Sequence, residues 1–181
     1  MQESNSIVAV YDSAADAVEG VSDLHKAGFN IMKLSLAVKE YPGTEHVIGY
    51  CSTGKQVRFW GRTGALLGGS GAFWTGAAFF LLPGLGPILM AGPVIAGVVA
   101  SVEGAAEVRG MGVFATALRR LGIPRESVFR YESELGEDRL LLIAHGTVDE
   151  LMVAKNVLHA TSPRELCVHF AEQAAPAANH A

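Results

Sequence analysis

Hydrophobic positions divide this chain into two short patterned halves and one long uncharged block between them. Ile7-Val8-Ala9-Val10-Tyr11 is an apolar β run, and Ser13 with Asp16 reads as a capping box that opens a helix. Ala14, Ala17, Val18, Val21 and Leu24 recur at helical spacing, and Gly28 is placed to end that helix. Ile31, Leu34, Leu36 and Val38 mark a second strand, stopped by Tyr41-Pro42-Gly43. After a flexible start at 1–6, residues 7–58 thus read as a first βαβ half. The plan returns over 140–171. Leu140 to Ala144 is a strand, Thr147 and Glu150 form another capping box, and Leu151, Met152, Ala154, Val157 and Leu158 supply a helical face before the closing strand at Cys167 to Phe170. The halves align without a gap: Ile7 with Leu141, Ser13 with Thr147, Asp16 with Glu150, His25 with His159. The expected fold class is α+β, a ferredoxin-like βαβ-βαβ sandwich with helices on one face of an antiparallel sheet.

The block interrupts that plan between strands 2 and 3. Thr63 to Val102 is forty residues long without one Asp, Glu, Lys, Arg or His. Pro83-Gly84-Leu85-Gly86-Pro87 breaks it into two limbs, because two prolines and two glycines stop a helix and favour a turn. Thr63 to Leu82 would be roughly 30 Å long as a helix, about the thickness of a bilayer's hydrocarbon core. Pro87 to Val102 would be roughly 24 Å, with Pro93 inside it. Residues 59–112 are therefore expected to form an apolar helical hairpin, buried in a membrane or in the core of an oligomer. Gly64, Gly68, Ala72 and Gly76 recur every four residues, as do Gly92, Ala96, Ala100 and Gly104, and such stripes let helices approach closely. Residues 113–139 read as linking helices, punctuated by Gly122-Ile123-Pro124, and 172–181 as a disordered Ala-rich tail.

Charge adds an orientation. Lys55, Arg58 and Arg62 precede the block and Arg109, Arg119 and Arg120 follow it, while the turn is neutral. The positive-inside rule then gives an inner (cytoplasmic) membrane location with the folded domain in the cytoplasm. Arg58, Trp60, Arg62, Glu103, Glu107 and Arg109 become membrane-interface residues, with Trp60 as an aromatic anchor. Net charge is −4 with a sequence pI near 5.8, which gives no electrostatic footprint for nucleic acid. Cys51 and Cys167 are far apart and make neither a disulfide framework nor a zinc motif. The polar start lacks the pattern of a cleavable signal.

Catalytic motifs fail on their spacing. Ser52-Thr53-Gly54-Lys55-Gln56 lacks the first glycine of a phosphate loop, and Gln56 stands where a magnesium-binding hydroxyl belongs. Gly64 to Gly71 does not make a dinucleotide fingerprint. None of the six histidines has metal-ligand spacing to a neighbour. No catalytic residue, metal or cofactor is expected.

The order of β-α-β, a Gly-rich block with Pro83-Gly84-Leu85-Gly86-Pro87 and Ala91-Gly92-Pro93, then Gly122-Ile123-Pro124 with Tyr131-Glu132, then β-α-β, resembles the bacterial general stress protein 17M-like, heat-induced family. Tyr41 to Tyr50 looks like the matching stretch of its proteobacterial members. The resemblance covers roughly Ser6 to Phe170. It implies a stress-linked, membrane-associated protein without a cofactor, and it carries over no catalytic residues.

Two functions follow as expectations. One is a non-enzymatic stress-response protein, anchored in the lipid bilayer and self-associated through the hairpin, whose cytoplasmic domain meets an unidentified cytoplasmic partner. The other is a soluble homo-oligomeric scaffold that buries the hairpin between subunits.

Overall fold

The computed structural model describes residues 5–39, 78–82, 84–103 and 112–170. They form six strands and five α-helices. In chain order these are β1 (Asn5–Tyr11), α1 (Ala14–Lys26), β2 (Leu34–Lys39), β3 (Ala78–Leu82), β4 (Gly86–Ala91), α2 (Val94–Glu103), α3 (Val113–Arg120), α4 (Arg125–Gly136), β5 (Leu140–Gly146), α5 (Val148–Ala160) and β6 (Glu165–His169). A 3-10 turn, Ile31–Lys33, leads into β2.

Local chemistry starts the two long helices of the βαβ halves. Ser13 Oγ accepts from the Asp16 amide at 3.2 Å and donates to the Asp16 carboxylate at 2.7 Å. Thr147 Oγ1 accepts from the Glu150 amide at 3.3 Å while Glu150 accepts from the Thr147 amide at 2.8 Å. Each arrangement satisfies backbone donors that a helix start leaves without partners. Helix α2 begins differently: its Val94 amide donates to the hydroxyl of Ser35, a buried residue of β2, at 3.0 Å. The sheet itself therefore fixes where that helix starts.

All strand pairs are antiparallel, in the order β3-β4-β2-β5-β1-β6. Strands β1 and β2 flank β5, and β5 and β6 flank β1, so each βαβ half is split by a strand of the other. Both faces of the sheet are covered. On one, Ile7, Ala9, Tyr11, Leu34, Leu36, Leu142 and Ala144 pack under α1 and α5. On the other, Val8, Val10, Ala37, Ile88, Met90, Leu141 and Ile143 pack under α2, α3 and α4. A strand buried on both sides reads as continuous apolar sequence instead of alternating with polar residues. That is why Ile7 to Tyr11 and Leu140 to Ala144 carry no charge. It also replaces the expected helices on a single face: α2, α3 and α4 cover the second.

The expectation of a helical hairpin over 59–112 is corrected where residues are described. Ala78–Leu82 and Gly86–Ala91 are two strands of a β-hairpin, and the second limb becomes helical only from Val94. Gly84 and Gly86 lie at φ +83° and +86°, in the left-handed region that glycine enters without strain, and they turn the chain between the strands. Phe79, Phe80 and Ile88 suit a pleated sheet, and β4 buries Ile88 and Met90 on one side and Leu89 and Ala91 on the other. The lack of charge from Ile88 to Ala91 is thus explained by burial on both faces of the sheet. Helix α2 has 10 residues, roughly 15 Å, half of what a bilayer core requires. Among the described residues no helix is long and apolar enough to cross a membrane. The transmembrane hairpin and the inner-membrane location inferred from it are therefore set aside.

Candidate functional site

The residues singled out from sequence separate in the structure. Gly64, Gly68, Ala72, Gly76, Gly104, Arg58, Trp60, Arg62, Glu107 and Arg109 lie outside the described residues, as do the expected tail and most of the flexible start. Glu103 is the last residue of α2. Gly92 sits at φ +83° in the turn between β4 and α2, Ala96 is exposed on α2, and Ala100 is half-buried. The close approach of α2 to its neighbour α3 runs through Gly97, where an added Cβ would lie 3.1 Å from the Ala117 Cβ and 3.2 Å from its Cα.

Two places combine unusual chemistry with a defined position. The first is the hairpin edge. Among the described residues β3 pairs with β4 alone and stands at one end of the strand order. Its sequence, Ala-Phe-Phe-Leu-Leu, has no charge and no proline. Phe80 and Leu82 pack toward the face under α2, α3 and α4. Leu81, between them, points to the opposite face and is 78% exposed. Natural edge strands usually carry a Lys, a Pro or a bulge that discourages pairing with another chain, and β3 carries neither residue.

The second is a polar row at the other end of the strand order. Glu165, Cys167 and His169 alternate along β6 with Leu166 and Val168, which face the α1/α5 layer. Tyr131 of α4 is buried and its hydroxyl meets His169 Nε2 at 2.7 Å. Arg130 pairs with the Glu165 carboxylate at 2.8 Å, lies over the Tyr131 ring at 5.2 Å, and donates to the Cys167 sulfur at 3.6 Å. The Cys167 thiol donates to Glu165 at 3.2 Å. Burial pushes the Tyr131 phenol well above its ordinary range. Burial, then the Arg130 cation, pushes the His169 imidazole down, against an opposing pull from Glu165. The row thus joins a neutral histidine to a protonated tyrosine, and a thiol to a carboxylate. It locks α4 onto the edge strand.

In the sheet, Ser6 of β1 is paired with His169 on one side and with His145 of β5 on the other. Ser6 is fully buried. Burial, then Lys33, lowers the His145 imidazole, opposed by Glu150 and by a hydrogen bond to the Lys33 backbone. Lys33 itself pairs with Glu150 at 2.6 Å. Among the described residues no group of three His, Cys, Asp or Glu side chains is placed to hold a metal ion. Reading the sequence for motifs misses this row, because its members come from β1, α4, β5 and β6. The one local signal is the period-two run Glu165-x-Cys167-x-His169. No protein family, curated protein or solved structure matches the chain.

Proposed function

We propose that this chain is a non-enzymatic assembly protein that associates with copies of itself through the edge of its sheet. The observation that carries this reading is Leu81, 78% exposed on an uncharged edge strand. Strand β3 of one copy pairs antiparallel with β3 of a second about a two-fold axis, which continues the sheet through both molecules. The backbone groups left over at the edge find partners, and Leu81 of each copy leaves water. Fully burying a leucine that was exposed contributes about 1.5–3 kcal/mol, and the two-fold axis doubles the gain.

Within each subunit, the inner order β2-β5-β1-β6 and the two split βαβ halves support a ferredoxin-like core. On this reading β3 and β4 extend that core at one edge, and α2, α3 and α4 close its second face. The sequence likeness to the general stress protein 17M-like family supports a stress-response setting.

The test is the molar mass of the full chain by light scattering coupled to gel filtration, beside Leu81→Lys. The expected result is a multimer for the natural chain and a smaller species for the variant, since an edge lysine would have to desolvate its charge to pair. A natural chain that runs as a monomer at all concentrations overturns the proposal.

A further inference from the structure

We propose that Ser6 and His145 together hold one ordered water molecule inside the sheet. Ser6 Oγ and His145 Nδ1 are buried polar atoms without a hydrogen-bond partner among the described residues. The two residues stand directly opposite each other across β1 and β5, so their side chains leave the sheet on the same face. That face is the one under α2, α3 and α4, because neighbours Val8 and Ile143 belong to it. Directly opposed residues have Cβ atoms about 4.5–5.5 Å apart, a separation at which one water can reach both polar groups. Buried water in proteins is found where otherwise unmatched polar atoms converge.

The chemistry of the two groups suits a single guest. The serine hydroxyl donates to the water oxygen, and the water donates one proton to the lone pair on Nδ1. That arrangement requires the His145 tautomer with its proton on Nε2. The Tyr131–His169 pair borders the same rung, since Ser6 also faces His169 across β6. It is already bonded within itself, which leaves Ser6 and His145 as the pair that needs a bridge.

The experiment is a high-resolution crystal structure of the full chain, together with nitrogen NMR of the His145 ring. The expected result is one water peak within hydrogen-bond distance of both Ser6 Oγ and His145 Nδ1, and nitrogen shifts of the Nε2–H tautomer. A Ser6→Ala crystal is expected to lose that peak. Finding no density there, or finding Oγ bonded to a main-chain carbonyl and Nδ1 bonded to another protein group, overturns the proposal. The natural chain alone decides the matter if the alanine variant does not fold.

Discussion

His145 and His169 bear on how this fold responds to acid. Both imidazoles are held below their ordinary pKa, first by burial and then by a neighbouring cation, Lys33 for His145 and Arg130 for His169. Glu150 and Glu165 pull in the opposite sense without reversing the shift. As pH falls through about 6.5 the unfolded chain takes up protons on these histidines before the folded one does. The stability they contribute is therefore complete above that value and is lost as pH falls toward the folded pKa. Glu132 of α4, whose carboxyl burial raises, works the other way. The expected outcome is a lower urea midpoint at pH about 5.5 than at about 7.5, with the difference reduced in a His145→Gln, His169→Gln variant. Equal midpoints in the natural chain would contradict this account of the row. Beyond the period-two run Glu165-x-Cys167-x-His169, none of it is legible from residue spacing. Ser6, Tyr131, His145 and His169 come together only through lateral strand register and the placement of α4, which are tertiary facts.

Elements were legible in proportion to how local their cause is. The starts of α1 and α5 follow from Ser13 and Thr147 with acidic partners three residues on, and these bonds form within one turn. The limbs on either side of Pro83-Gly84-Leu85-Gly86-Pro87 suggest helices because they are long and carry no charge. A charge-free strand has the same appearance, and periodicity alone does not separate the two. Its Pro-Gly turn was visible, whereas the conformation of the flanking limbs was not. On α2 it is Gly97 that makes the close contact with α3, against Ala117. Gly97→Leu is therefore expected to destabilise the fold by about 1–3 kcal/mol through overpacking. Gly97→Ala should change little, since a Cβ displacement of a few tenths of an ångström is offset by the roughly 1 kcal/mol that alanine gains over glycine in a helix. Urea unfolding of both variants checks this, and an unchanged midpoint for the leucine variant would contradict the close packing of α2 on α3.

At the scale of the molecule, two helical layers cover the faces of the sheet, and its two edges differ. Strand β6 is guarded by the Arg130–Glu165 ion pair and the polar row beside it. Among the described residues strand β3 has no such guard, and it exposes Leu81. Length and lack of charge suit a bilayer and an oligomer core alike, so the uncharged block by itself leaves both destinations open. The asymmetry between the two edges is what the folded chain adds. Amide hydrogen exchange across a dilution series tests self-pairing most directly, because it reports on the β3 backbone itself. The account expects the amides of Phe79 to Leu82 to be slow at high protein concentration and to speed up on dilution, with β6 unchanged. Exchange in β3 that is the same at every concentration would contradict it.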